Sequence, residues 1–363
     1  MLRVIDLTTL SGAYAARLFA EAGDEVIRIE APEGDELRRL APFLRGREDL
    51  DHGAFHQFLN AGKKSVALDL QTPEARRTFS KLLATADILI ANAPLPLDEA
   101  ECWKANPRLV LTRIVDDEPE ICAVARSGLM SLTGHPDRAP VLLGGHIPLM
   151  AVATYAALAT AAALLARNAS DRGVVAALSV RECLESFVEQ AMVEYTFSGT
   201  ITERRGSKGA ITAISGALPC KDGHWVISQI HRPGRWEKFI DWVQDPELGA
   251  DPSLAEEENQ HRRRDFIMAR LDRWAKRFTK TELVEQAQRR HFPASPVSTT
   301  LDLVNDPQLI ARGFLSAMHH PELGKILFPQ GALAAVLGRR MSAAPKLGEH
   351  TDRVLNDLRA AVI

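Results

Sequence analysis

The chain is poor in cysteine, in glycine-rich turns and in net charge, and each shortage closes a class of function. Its four cysteines, Cys102, Cys122, Cys183 and Cys220, form no CxxC pair and no zinc-type spacing, so they read as reduced thiols rather than as a disulfide framework or a metal site. The 44 basic and 47 acidic residues are mixed along the sequence and leave a net charge of −3. Nucleic-acid phosphates need a basic face, so nucleic acid is not expected as a partner. There is no GxxxxGK[ST] loop and no GxSxG elbow. Where a first βα turn would carry GxGxxG, the sequence reads LSGAYAA with one glycine, which excludes a close backbone approach to a dinucleotide pyrophosphate.

Long apolar runs are also lacking, with one exception. IPLMAVATYAALATAAALLA, residues 147–166, carries no charge, and a membrane span needs about 20 such residues. Nine of its residues are alanine, no second such run exists, and Pro148, Arg167 and the turn residues NASDRG mark it off as a helix of a folded core. The opening MLRVIDLTTL becomes polar too early for a signal peptide. A cytoplasmic protein without a membrane segment is expected.

What is present is an alternation. RVIDL, a helical stretch ending at Gly23, and DEVIRIEAP form strand, helix and strand; KSVALDL, TPEARRTFSKLLATA and DILIANAP repeat the pattern, with Thr72 as N-cap. PRLVLTRIV, the apolar helix, GVVAALSV and one helix over RECLESFVEQAMVEY follow. The series predicts an α/β fold with a doubly wound parallel sheet. Around SGTITERRGSKGAITAISG the alternation breaks, and a hairpin through Asp222 and Gly223 with helices near 234–245, 260–278 and 281–290 suggests a smaller α+β domain. At 363 residues, two domains match the usual domain size of ~100–200 residues.

Candidate chemistry is sparse. His52 and His56 have i, i+4 spacing, but Gly53 disfavours a helix there and no HExxH accompanies them, so no metal is expected. His319 and His320 read as surface histidines of a loop, and Glu182, Glu185 and Glu189 as a solvated helix face. Arg38 and Arg39 in GDELRR follow a strand end, and Asn60, Lys63 and Lys64 in NAGKKSV precede one. Together they would suit a phosphorylated ligand.

The blocks RVIDLTTLSGAYAARLFAEAGDEVIRIEAPEGDELRR, LNAGKKSVALDLQTPEARRTFSKLLATADILIAN, SGLMSLTGHPDRAP, LPCKDGHWVISQI and FPASPVSTTLDLVNDPQLIARGFLSAMHHPELG, taken in order, resemble the class III CoA-transferase family of formyl-CoA transferases, carnitine CoA-transferases and α-methylacyl-CoA racemases. The resemblance implies a Rossmann-like large domain from residues 1–205 and 326–363, a small domain at 206–325, and an interlocked dimer. It implies coenzyme A or acyl-CoA as substrate and a second family-III subunit as partner, in a homodimer or a heterodimer. Arg38 matches the arginine near the CoA nucleotide phosphates, Lys63 and Lys64 match the basic pair after the LN turn, and Asn92 matches the asparagine of the family's ENF strand end.

The departures concern chemistry. The family's transferases place a nucleophilic aspartate at the mouth of the apolar helix. Counted back from AAALLAR it falls on Leu149, or with a one-residue gap on Pro148 or Met150. The racemases' His and Asp pair falls near Ala125 and Pro148. The GFG turn has become VDDEP, and the glycine-rich loop SKGAITAISG. Three readings follow: a subunit without its own nucleophile that pairs with an active homologue; a divergent autonomous CoA-thioester enzyme using Asp116, Asp117 or Glu118; and a non-catalytic acyl-CoA-binding protein.

Overall fold

The structure, a computed structural model, describes residues 1–207, 212–228, 234–320, 322 and 324–360. Six strands, β1 (Arg3–Leu7), β2 (Glu25–Glu30), β3 (Lys64–Ala67), β4 (Ile88–Asn92), β5 (Val110–Val115) and β6 (Val174–Ser179), form one parallel sheet in the order β3-β2-β1-β4-β5-β6. The order reverses between β1 and β4, so the connections leaving these neighbours diverge and open a crevice at their carboxyl ends.

The helices between them are α1 (Leu10–Ala22), α2 (Ala54–Leu59), α3 (Pro73–Ala84), α4 (Glu99–Ala105), α5 (Glu120–Arg126) and α6 (Ile147–Ser170). Phe79, Leu82 and Leu83 of α3, Cys102 of α4, and Val354 and Leu358 of the helix Thr351–Ala360 pack on Ile5, Ile27, Leu89 and Leu111 of the sheet. The Thr72 hydroxyl accepts the Ala75 N–H and begins α3, as expected of an N-cap. On the opposite face α1 and α6 pack together, and Thr112 of β5 shares a 2.6 Å hydrogen bond with Thr160 of α6. Gly12, the lone glycine of LSGAYAA, serves this packing. A Cβ there would lie 2.7 Å from both the Ile114 and the Thr8 side chains, so its role is close approach of α1 to the sheet.

Three elements differ from their sequence readings. RECLESFVEQAMVEY does not form one helix: α7 (Val180–Glu185) and α8 (Glu189–Ser198) are separated by a 3-10 turn at Ser186–Val188. His319 and His320 belong to strand β10 of a hairpin described below, where His320 is buried. The apolar helix α6 is only half a core helix. Its stripe Val152, Ala153, Ala156, Thr160, Ala163 and Arg167 is buried, but 33% of its most apolar window is covered, and Leu158 and Leu165 are 66% and 73% exposed. It is the one helix among the described residues long and apolar enough to cross a membrane, yet its buried stripe packs on α1, β5 and β6.

The chain divides into two compact units. The first comprises Met1–Leu129, Leu142–Thr200 and Asp306–Ile363; the second comprises Met130–Val141 and Ile201–Asn305. The second contains the antiparallel strands β7 (Ser215–Cys220), β8 (Gly223–Ser228) and β9 (Ala294–Pro296); the expected hairpin is present, with its turn at Lys221 and Asp222, one residue before the Asp222–Gly223 read from sequence, because Gly223 pairs with Cys220. Trp225, Trp242, Trp274, Phe239 and Phe292 form its core. The small-domain range expected from sequence, 206–325, runs too far. The hairpin of β10 (Leu315–His320) and β11 (Gly324–Pro329) belongs to the first unit, because Met318 and Phe328 pack on Ala61, Ala334 and Met341. Residues 208–211 of the stretch SKGAITAISG lie outside the described residues.

Candidate active site at the carboxyl edge of the sheet

The crevice at the reversal point is laced by Asn92. At the end of β4 its Oδ1 accepts the Thr9 backbone N–H at 2.8 Å, and its Nδ2 donates to Ser11 Oγ at 2.8 Å. The amide thereby fixes the turn from β1 into α1. Asn92 itself is 9% exposed, at the rim. Of the four residues assigned to the site from sequence, it is the one placed in this crevice.

The predicted cations fall elsewhere. Lys63 and Lys64 are adjacent in sequence but do not act together. Lys63 is buried, and its ammonium donates to Asp6 Oδ2 at 2.8 Å, to the Ala13 carbonyl at 3.1 Å and to Asn60 Oδ1 at 3.1 Å. Lys64 begins β3 at the amino edge of the sheet and pairs with Glu25 at the start of β2. Consecutive side chains on an extended backbone point to opposite sides, which separates the two. Arg38 is also buried: Nε and Nη2 donate to the two Glu30 carboxylate oxygens at 2.6 and 2.7 Å, and Nη1 donates to Asp51 at 2.7 Å. Its guanidinium holds the turn after β2 together. Arg39, its neighbour in GDELRR, is exposed at the same turn and donates to the Glu33 carbonyl.

Behind the crevice lies a continuous polar network. Arg28 donates to Asp6 at 3.1 Å, to the Thr8 carbonyl at 3.0 Å and to Asp35. Burial alone would raise the Asp6 pKa, but Lys63 and Arg28 outweigh it and bring it down to about 2. Burial lowers the Lys63 pKa to about 8 despite the Asp6 charge. Asn60 Nδ2 donates to His56 Nδ1 at 3.0 Å, which leaves His56 Nε2–H to donate to the Pro345 carbonyl at 3.1 Å. Burial, then the nearby Arg38 charge, lower the His56 pKa to about 3, so this imidazole is neutral. His52 instead pairs with Glu322 at 2.7 Å, so the two histidines do not converge as metal ligands would.

A second group of polar side chains meets at the mouth of α6. Its N-cap, His146, takes the left-handed conformation (φ 53°) that a side chain with a Cβ seldom adopts. His146 Nδ1 lies 2.6 Å from Oε2 of Glu120, the first residue of α5. The Phe55 ring meets the imidazole edge-on at 5.3 Å. Leu149, in the first turn of α6, is 5% exposed, and Met150 packs against the cluster of Ala13, Leu37 and Leu59. Sequence reading singled out Asp116, Asp117 and Glu118 in the turn after β5 but passed over Glu120 and His146. Glu118 pairs with Arg126 at 3.3 Å, and Asp117 is exposed. No spacing rule joins Glu120 to a histidine 26 residues later. The one available signal was a histidine standing immediately before the apolar run.

The CoA-transferase family III model matches residues 2–351. The chain belongs to this family. It is 29% identical to a succinyl-CoA–D-citramalate CoA-transferase of Chloroflexus aurantiacus, over 98% of this chain and 92% of that one. It is 28% identical to the alpha subunit of a succinyl-CoA–L-malate CoA-transferase of the same organism, over 98% and 88%. A CAIB/BAIF family protein from Brucella suis has the same architecture, with a TM-score of 0.85 at 25% identity over 98% of both chains. Family III CoA-transferases act on acyl-CoA thioesters, and some are built from separate subunits. The expectation drawn from the sequence blocks is met at the level of the family.

Proposed function

We propose that this family III chain binds an acyl-CoA at the carboxyl edge of a Rossmann-like sheet and works as a subunit without a nucleophile of its own, paired with a homologous chain that carries one. The observation that carries this reading is Leu149. Its apolar side chain occupies the first turn of α6 and is 5% exposed, where a transferase of this family would need an ionised carboxylate. Pro148 and Met150 on either side offer no carboxylate.

The strand order with its reversal between β1 and β4 supports a nucleotide site near Asn92 and the Thr9–Ser11 turn. Arg39, exposed at the turn after β2, is the cation suited to the phosphates, while Arg38 and Lys63 stiffen the floor beneath. The partner's place is suggested by exposed apolar surface. Leu158 and Leu165 of α6, with Met192, Val193 and Phe197 of α8, are 47–89% exposed, and Tyr155 of α6 meets Phe187, in the turn before α8, edge to face. Clusters of this kind mark protein interfaces. A second family-III chain, in an interlocked assembly in the cytoplasm, is the occupant proposed.

Native mass spectrometry of the protein from its own host tests this reading. A heteromer with a family III homologue bearing an aspartate at the Leu149 position is expected. A homodimer that transfers CoA from succinyl-CoA to an acceptor acid unaided would favour the autonomous-enzyme reading instead.

A further inference from the structure

Family III chemistry as read above leaves the polar pair at the mouth of α6 without a task. Glu120 and His146 come from different elements, α5 and α6, and meet within 2.6 Å. The His146 Nδ1–H donates to the Glu120 carboxylate, which fixes the tautomer and leaves a lone pair on Nε2. Nε2 has no hydrogen-bond partner among the described residues, and the imidazole is 34% exposed. Glu120 is the more enclosed member. Its side chain is 15% exposed and its Oε1 is buried with no hydrogen-bond partner, so it is placed to orient the ring rather than to attack a substrate. The left-handed backbone of His146 and the Phe55 ring against it hold the imidazole in one direction. The pair stands at the carboxyl edge of the sheet: Asn92 is in register with Ile114 of β5, and Glu120 begins α5, the next element after β5, across the turn 116–119.

We propose that His146, positioned by Glu120, is a general base that activates water against an acyl-CoA thioester, giving this chain a thioester hydrolase activity. The inference rests on the acyl-CoA reading above. In the step, Nε2 takes a proton from water as the water oxygen bonds to the thioester carbonyl carbon. The carbon–sulfur bond then breaks, and the proton on Nε2 passes to the departing CoA thiolate. One thioester and one water give one carboxylic acid and one CoA thiol. No protein carboxylate is acylated, which suits a helix mouth occupied by Leu149.

The test uses the full-length chain with acetyl-CoA and succinyl-CoA, following thiol release from pH 5 to 9, beside calorimetric titration with CoA. His146→Asn is the primary variant, because asparagine tolerates the left-handed backbone; Glu120→Gln is the second. The wild type should bind CoA and release thiol with a rate that rises with pH. His146→Asn should lose that limb and about 100-fold or more of kcat, the scale of general-base catalysis, while binding CoA unchanged. Glu120→Gln should lower kcat with little change in KM. If the wild type binds CoA but releases no thiol above buffer, or if His146→Asn keeps the pH limb, the hydrolase proposal falls and the acyl-CoA reading stands. If the wild type binds no CoA, both fall.

Discussion

The Lys63 ammonium donates to the Asp6 carboxylate at 2.8 Å, with neither side chain exposed to solvent. A cation that looks ligand-directed in sequence is thus part of the scaffold beneath the crevice. Replacing Lys63 by Met leaves Asp6 buried with a lost partner and should destabilise the fold by about 3–5 kcal/mol in urea unfolding. Replacing Asp6 and Lys63 together by apolar residues should recover part of that loss. A single Lys63→Met variant as stable as the wild type would show that the pair does not brace this scaffold.

Arg38 and Arg39 should separate cleanly by assay. Arg38→Met leaves Glu30 with its bidentate partner removed and should lower stability by about 3–5 kcal/mol. Arg39→Ala should stay within about 0.5 kcal/mol of wild type, as surface changes do, and weaken CoA binding in calorimetry. The reverse pattern would move the phosphate contact back to Arg38.

The neutral imidazole of His56 gives stability a pH dependence. Its pKa is lowered from an ordinary 6.5 to about 3 in the fold, so between these values the unfolded chain binds more protons than the folded one. Stability therefore falls as pH drops from 6.5 towards 3, with a limiting slope of about 1.4 kcal/mol per pH unit from this group. Urea unfolding at pH 7, 6 and 5 should show stability falling ever more steeply towards that slope in the wild type and less steeply in His56→Gln.

Much of this architecture was legible in the sequence because strong local signals agreed with the tertiary fold. The strand boundaries of Arg3–Leu7, the cap at Thr72 and the stop at Gly23 each stand where their residues place them. The site was less legible. Which of two adjacent lysines turns inward depends on strand facing, and whether Arg38 meets a ligand or Glu30 depends on packing that no local pattern encodes. The half-covered state of α6 was hidden for a related reason. An alanine-rich helix reads alike whether sheet, solvent or a second chain covers its far face.

That far face yields its own prediction. Leu158→Lys with Leu165→Lys should leave the buried stripe of α6 intact and cost the chain little stability, yet shift the assembled species to monomer in analytical ultracentrifugation. A wild-type chain that is monomeric at micromolar concentration in the presence of its homologue would remove the interface from that face.

The proposal that this chain lacks its own nucleophile is tested most directly by covalent trapping. The purified chain, incubated with succinyl-CoA and treated with borohydride or hydroxylamine, is examined by intact-mass and peptide mass spectrometry. The account predicts CoA binding with no acyl or CoA adduct on any carboxylate of the chain; an adduct on an Asp or Glu, whether in the turn 116–120 or elsewhere, would contradict it.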